Sequence, residues 1–235
     1  MSFIQGIDLI KKVEDFLLAE QNEEVALFAS KLITTKSTIY GVKLPKLRQF
    51  AKKLTDDERI AYLNIDLSGK SYEEILLYGF VLGGQKLSYD EFLKYFYKYV
   101  PFVDNWSTCD SPISSMKIIA KHRKDFLVEI DTLLSSNENF QQRIAIVALL
   151  DFYISEEYLD IIFNYCEKIR SYDYYVSMAK AWLLSVCFVK FKAETYDYLL
   201  NGMLDDVTLN KTISKICDSY RVDDKDKRRV RLLKR

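Results

Sequence analysis

The chain has 235 residues, with 34 basic and 34 acidic side chains and an apolar fraction of 49%. This length allows one large domain or two small ones, and the apolar fraction excludes general disorder. Seven Gly and three Pro are too few for the many tight turns of an all-β sandwich or barrel. A net charge of zero gives no sign of a nucleic-acid partner, but residues 221–235 hold eight basic and three acidic side chains.

Several classes of protein and site are disfavoured. No apolar run reaches the roughly 18–20 residues that span a bilayer, and the first dozen residues lack signal-peptide features. We therefore expect a cytoplasmic protein without a membrane role, whose four scattered cysteines are reduced and mostly buried. His122 is the only histidine, which argues against a His-dependent triad or a His-based zinc site.

The predicted elements are helices nearly throughout. The first carries an apolar stripe at steps of three and four residues, formed by Phe3, Ile7, Ile10, Val13 and Leu17. Three capping boxes then predict helix starts, at Thr55 with Glu58, Ser71 with Glu74, and Ser88 with Glu91. Helical patterns cover residues 24–36, 44–54, 56–64, 71–83, 88–100, 106–122, 138–153, 156–169, 172–190, 193–204 and 208–220.

A dozen short helices with brief connections indicate a helical bundle or an α-solenoid. Trp106, Arg143 and Trp182 are separated by 37 and 39 residues, close to the roughly 40–47 residues of a HEAT-like helical repeat. That spacing favours an all-α solenoid of about six helical pairs, formed by a single domain over residues 1–235. In such a stack the three side chains would line one concave face. Coincidence among three residues is the alternative.

The chemistry of these positions allows two interpretations. Asp110 follows Trp106 by four residues, so the two share a helix face. Arg143 lies on a mostly apolar helix, where an always-charged group needs a partner. Two indoles, a carboxylate and a guanidinium on one surface would form an electron-rich pocket with a phosphate clamp. The alternative is that Trp106 and Trp182 fill core and that Asp110 and Arg143 form a structural ion pair.

Four stretches of this sequence resemble the AlkD-type alkylpurine DNA glycosylases, which are bacterial HEAT-like repeat proteins of similar length. They are residues 40–48, 105–110, 142–146 and 174–182, and the similarity extends over essentially the whole chain. The order Trp, Asp, Arg, Trp at matching intervals is its most specific part. The resemblance implies a solenoid with a concave DNA-binding face and a monomer that acts on duplex DNA carrying alkylated purines.

The resemblance also assigns roles to residues. Trp106, Asp110 and Trp182 would surround the deoxyribose of the damaged nucleotide, and Arg143 would contact the DNA backbone nearby. It implies hydrolysis of the N-glycosidic bond of N3- and N7-alkylated purines while the lesion stays stacked, and from this mechanism we expect no metal and no cofactor. Further DNA contacts are expected at basic residues near helix starts and along the later helices, namely Lys43, Lys46, Arg48, Lys180, Lys211, Lys215 and Arg221.

The sequence departs from the family pattern at two positions. Leu32 stands where active relatives can carry a tyrosine, and Asp104 precedes Trp106 where a basic or aromatic residue can occur. Two other functions therefore stay open: a non-catalytic HEAT-repeat protein that binds distorted or branched DNA, and a protein–protein scaffold. The basic run of residues 225–235 can either wrap a phosphate backbone or fray into solvent.

Overall fold

A computed structural model describes residues 3–169 and 173–235, with side chains from residue 8 onward. Within those ranges the fold is all-α, as predicted, with fifteen α-helices, two 3-10 helices and no strand. The first eight helices are α1 (Phe3–Glu20), α2 (Glu23–Leu32), α3 (Leu44–Lys53), α4 (Asp56–Leu63), α5 (Tyr72–Gly84), α6 (Tyr89–Tyr99), α7 (Trp106–Ser115) and α8 (Ile118–Lys121). The others are α9 (Arg123–Leu134), α10 (Asn139–Phe152), α11 (Leu159–Lys168), α12 (Tyr174–Lys190), α13 (Lys192–Asn201), α14 (Asp206–Asp218) and α15 (Asp224–Arg231). The 3-10 helices are Val100–Phe102 and Glu156–Tyr158.

The helices form two compact units, Met1–Ile118 (unit 1) and Ile119–Arg235 (unit 2). In unit 1, α3 packs on α5 and α5 on α7, with α4 and α6 against α5. In unit 2, α10 packs on α12 and α12 on α14, with α9, α13 and α15 beside them. Stacking one helix of each pair on the next is the arrangement of HEAT-like repeats. The prediction of one continuous domain stays a prediction.

All three predicted capping boxes are confirmed. At the start of α4, the Glu58 backbone N–H donates to the Thr55 hydroxyl over 3.2 Å, and the Thr55 N–H donates to the Glu58 carboxylate over 2.8 Å. Each box satisfies two backbone donors that a helix start would otherwise leave unpaired. These local signals fix where α4, α5 and α6 begin.

Several helix boundaries differ from the predicted ones, and the predicted helix 24–36 ends at Leu32. The predicted helix 106–122 is two helices, because α7 ends at Ser115 and the chain leaves helical geometry at Met116. No helix was predicted for residues 123–134, yet α9 buries Phe126, Ile130 and Leu133 at steps of four and three. This apolar stripe is present in the sequence, but it follows a run of charged residues and was not recognised as a helix.

Two predicted features fall partly outside the described residues. The side chains of Phe3 and Ile7 lie outside them, while Val13 and Leu17 of the same stripe are buried. The predicted helix 172–190 begins within the undescribed residues 170–172 and is observed from Tyr174. Across the described ranges no helix has the length and apolarity to cross a membrane.

Candidate functional site

The start of α7 is defined by Asn105, which is buried and caps the helix. Its side-chain oxygen accepts the backbone N–H groups of Ser107 and Thr108 over 3.0 and 3.1 Å. Trp106 is therefore the first helical residue, and Asp110 lies one turn later on the same face. Both side chains are partly exposed. Unit 1 thus presents an indole and a carboxylate side by side on one helix.

Pro112 lies inside α7 and changes its hydrogen bonding. Because proline has no backbone N–H, the carbonyl of Thr108 loses its usual helical donor. The hydroxyl of Tyr99, on α6, donates to that carbonyl instead. The Thr108 carbonyl, two residues before Asp110, therefore has a hydrogen-bond donor in a buried tyrosine. This bond joins α7 to α6.

Close approach of α7 to α5 depends on two glycines of α5. A Cβ at Gly79 would lie 2.5 Å from the Cβ of Pro112, and a Cβ at Gly83 would lie 2.0 Å from the Oγ of Ser115. Neither separation is compatible with van der Waals radii, so only glycine admits α7 at this depth. These glycines set the position of the helix that carries Trp106 and Asp110.

The end of α2 is hydrogen-bonded to the start of α7. The indole N–H of Trp106 donates to the carbonyl of Leu32 over 3.1 Å. Asp104 accepts the hydroxyl of Thr35 over 2.7 Å and the N–H of Lys36 over 3.4 Å. The two positions that depart from the family pattern, Leu32 and Asp104, therefore both help to hold the segment after α2 against α7. The sequence carried no signal for these contacts, which join residues about 70 apart.

A buried carboxylate organises the rest of that segment. Glu73 is fully buried, and its oxygens accept the backbone N–H groups of Tyr40, Gly41 and Val42 over 2.7–3.2 Å. Burial raises the pKa of Glu73, and the three donors partly oppose that rise. Gly41 has a φ of +81°, a conformation that glycine adopts without strain. Lys43, the next basic residue, is exposed at the start of α3.

Unit 2 carries the two other predicted site residues on neighbouring helices, Arg143 on α10 and Trp182 on α12. Trp182 is partly exposed although its neighbours Ala181 and Leu183 are buried. Arg143 is only 7% exposed, and its guanidinium donates to the carbonyl of Tyr175 over 2.6 Å. The expectation of an exposed Arg143 is therefore wrong: the first turn of α12 takes up one of its donors.

Lys180 is also placed differently from its prediction. It is 1% exposed, its ammonium donates to the carbonyl of Ile169 over 3.0 Å, and the carboxylate of Asp205 lies 3.6 Å away. A buried ammonium with these partners ties α12 to the residues before α14 and cannot reach a phosphate in this conformation. The prediction that Lys180 contacts DNA is corrected accordingly.

The remaining predicted DNA contacts lie on the surface. In unit 1, Lys46 forms an ion pair with Glu20, and the Arg48 guanidinium lies 4.7 Å from the centre of the Phe80 ring. In unit 2, Arg221 is exposed, and Lys211 and Lys215 lie on α14 and line a cavity. Whether any of these residues contacts DNA stays a prediction.

The basic C-terminal run is helical as far as Arg231. Residues 224–231 form α15, which packs against α14 and buries Val230. The guanidinium of Arg229 lies 3.7 Å from the centre of the Tyr196 ring on α13. The alternative in which this run frays into solvent is therefore wrong, because α15 is anchored by an apolar side chain and a cation–π contact.

No metal centre is apparent in the part of the chain that the structure describes, since it contains no group of three or more His, Cys, Asp or Glu side chains able to hold an ion. Cys109, Cys166 and Cys187 are buried and Cys217 is partly exposed, all as free thiols. Burial raises the pKa of Cys166 to about 12, so this thiol is unreactive at neutral pH.

Comparison with known proteins gives one family. The model of a family described as DNA alkylation repair enzyme matches residues 13–200, which is most of the chain and includes Trp106, Asp110, Arg143 and Trp182. No curated protein matches the chain. The match ends before α14 and α15.

Proposed function

The chain belongs to the DNA alkylation repair enzyme family, and from this we propose that it is a DNA glycosylase for N3- and N7-alkylated purines. Its substrate is double-stranded DNA, its reaction is hydrolysis of the N-glycosidic bond, and it acts as a monomer that leaves the lesion stacked. The observation that carries the proposal is the pairing of Trp106 and Asp110 at the start of α7, both partly exposed on a helix held by Asn105, Tyr99 and Gly79.

The carboxylate of Asp110 is suited to the charge that develops in this reaction. Alkylation at N7 or N3 makes the purine cationic, so it leaves as a neutral base that takes the electron pair of the broken bond. Positive charge then develops on the deoxyribose, as in glycoside hydrolysis. A fixed carboxylate beside the sugar stabilises that charge and can orient the water that attacks C1′.

The two tryptophans add to the same effect. An indole face is electron-rich and attracts a cation by about 0.5–2 kcal/mol. The hydrogen bond from Trp106 to the Leu32 carbonyl fixes the orientation of that ring. Because the ring is already fixed, it loses little conformational entropy when DNA binds. Its attraction for the cationic sugar then stabilises the transition state without that cost. We assign Trp182 the same role on the basis of the resemblance.

The chemistry requires neither a general acid nor a metal, because the leaving base is already cationic. That fits a chain with a single histidine. His122 lies at the start of α9, 3.2 Å from Asp125 in an exposed pair, and takes no part in the proposed reaction.

The test is single-turnover release of 7-methylguanine from a duplex with one lesion. Asp110→Asn keeps size and shape but removes the charge, so base release should fall on the order of 10²–10³-fold. DNA affinity should hold or rise, because a negative charge near phosphates is lost. Trp106→Ala and Trp182→Ala should each cost less than Asp110→Asn.

Asp90→Asn is the matched control, since it makes the same change at an exposed residue in the first turn of α6. An Asp110→Asn protein as fast as wild type would remove Asp110 from the chemistry. A wild-type protein that binds the methylated duplex but releases no base would instead support the non-catalytic DNA-binding function.

A further inference from the structure

Unit 2 contains a cleft between α12 and α14 that holds none of the residues assigned to the cleavage of the N-glycosidic bond. Its volume is about 290 Å³, and it is lined by Met178 from α12 and by Asn210, Lys211, Ser214, Lys215 and Asp218 from α14. Asn210 and Ser214 supply an amide and a hydroxyl, and the lining also contains two ammonium groups and one carboxylate. The lining therefore combines polar donors with an excess of positive charge.

The positive charge of the cleft is concentrated. Burial lowers the pKa of Lys215, and the neighbouring charges of Arg143 and Lys211 lower it further, while Asp218 opposes them. The ammonium of Lys215 is thus close enough to two other cations to be repelled by them, while the carboxylate of Asp218 attracts it. Such an arrangement is relieved when an anion binds among the cations.

An exposed aromatic side chain adjoins the cleft. Tyr174, the first residue of α12, is 59% exposed, and the ammonium of Lys211 lies 4.7 Å from its ring centre. The rings of Tyr174 and Tyr175 meet edge to face at 5.3 Å, and Tyr175 in turn contacts Phe140 at 5.3 Å. Tyr174 is therefore held in place by a row of aromatic rings while most of its own surface faces solvent.

We propose that this cleft binds an unpaired nucleotide of a DNA strand, with its phosphate at Lys211 and Lys215 and its base stacked on Tyr174. Cationic groups that hold the backbone beside an aromatic ring that stacks on a base are the two parts of a single-strand binding surface. The volume of the cleft is near the lower end for small-molecule sites, about 300 Å³, and suits one nucleotide rather than a larger ligand.

The aromatic ring distinguishes an unpaired nucleotide from a duplex. A duplex keeps its base faces within the stack and offers a basic surface only phosphates and sugars. Lysines alone would be enough to bind the phosphates of a duplex. An exposed aromatic ring beside them would then have no base face to stack on. An unpaired nucleotide uses both the ring and the cations. The proposal concerns a binding activity separate from base release.

The test uses undamaged DNA, so its result does not depend on whether the protein is a glycosylase. Binding of a labelled twelve-residue oligothymidylate is measured by fluorescence anisotropy over a series of salt concentrations.

Tyr174→Leu removes the aromatic face but stays apolar, and should weaken binding by on the order of tenfold with little change in salt dependence. Lys215→Gln should reduce the slope of log affinity against log salt by about 0.7, which is one single-strand phosphate contact. Lys215→Arg should retain the slope.

Two matched controls lie outside the cleft. Tyr220 is fully exposed, so Tyr220→Leu removes a comparable ring. Lys190 is an exposed lysine at the end of α12, twelve residues or about 18 Å beyond Met178. Both control variants should bind the oligonucleotide as the wild type does. Each of three results would overturn the proposal. They are oligonucleotide binding that Tyr174→Leu leaves unchanged, a salt slope that Lys215→Gln leaves unchanged, and control variants that lose as much affinity as the cleft variants.

Discussion

At the scale of single residues, the buried cations of unit 2 have structural partners. Lys180 and Arg143 both donate to backbone carbonyls, of Ile169 and Tyr175 respectively. Long side chains of this kind can bury their methylene stems while their charged ends find acceptors inside the fold. Sequence alone shows a cation on an apolar helix but not the carbonyl that meets it. For Lys180, residue type therefore suggested a phosphate contact where the structure provides an internal one, while the contact of Arg143 with the DNA backbone stays a prediction.

Lys180→Met should leave duplex affinity and its salt dependence unchanged, because the ammonium is buried and already bonded. Removing the ammonium alone leaves the Ile169 carbonyl without its donor and Asp205 without its cation. Because a buried acceptor left unsatisfied costs about 1–3 kcal/mol, we expect the free energy of unfolding in urea to fall by about that amount. Loss of a phosphate contact in the salt series would contradict the structural role. Lys168→Met, at an exposed lysine of α11, is the control for general loss of charge.

Asp205→Ala should be clearly destabilising, because the carboxylate has two roles. It accepts the backbone N–H of Thr208 over 2.8 Å at the start of α14, and it lies 3.6 Å from the buried ammonium of Lys180. Loss of a helix cap costs about 0.5–2 kcal/mol, and an unpaired buried charge adds to that. In the double variant with Lys180→Met the loss should be smaller than the sum of the two single losses. Strict additivity in urea unfolding would show that the two residues do not interact.

At the scale of helices, the placement of α7 depends on features that the sequence shows only in part. Asn105 before Trp106 is a recognisable cap, and Pro112 is visible as a helix irregularity. Their consequences need the neighbouring helices, because the hydroxyl of Tyr99 and the missing side chain of Gly79 come from α6 and α5. The capping boxes were predictable because both partners lie within four residues. The contacts that fix α7 join residues distant in sequence.

Gly79→Ala should displace α7 and with it the pair Trp106 and Asp110. The added methyl group would lie 2.5 Å from Pro112 and 2.9 Å from the hydroxyl of Tyr99. Overpacking of this kind costs about 1–3 kcal/mol, and misplacement of a reacting group lowers the rate further. We expect a lower melting temperature and a loss in 7-methylguanine release that persists at temperatures where the variant is fully folded.

Gly84→Ala is the matched control on the same helix, since nothing lies within 4 Å of the Cβ it would add. It should leave base release unchanged and can raise stability slightly by restricting the unfolded chain. Equal effects of the two substitutions would mean that α5 responds to alanine in general and that the approach of α7 at Gly79 is not tight.

At the scale of the whole molecule, the spacing of Trp106, Arg143 and Trp182 corresponds to the spacing of stacked helices along the chain. The three residues lie on α7, α10 and α12, and each of these helices belongs to the stacked series of its unit. The division of the chain near residue 118 had no signal in the sequence, because no Gly-rich or Pro-rich linker marks it. Repeat proteins join successive pairs by short turns throughout, so a boundary between units need not differ in composition.

The stability of the molecule should fall on the acid side, because unit 1 contains carboxylates whose pKa is lowered. Hydrogen bonds and charges from Lys12 and Thr55 lower the pKa of Glu58, and the Ser88 hydroxyl and N–H lower that of Glu91, each from a usual value of 4.5. A lowered folded-state pKa contributes stability above the unfolded value, and that contribution is lost as pH falls through the folded value. Glu73 acts oppositely, since its raised pKa favours the folded state at low pH.

We therefore expect the melting temperature to fall as pH decreases below about 4.5, once the unfolded-state carboxylates begin to protonate. The double variant Glu58→Gln and Glu91→Gln should melt lower than wild type at pH 7 and should lose less stability between pH 5 and about pH 3. Glu14→Gln, at an exposed residue of α1, should keep the wild-type dependence. Calorimetric melts across this range provide the measurement. A double variant with the full wild-type decline would show that the capping boxes do not control the acid response, and that carboxylates elsewhere in the chain do.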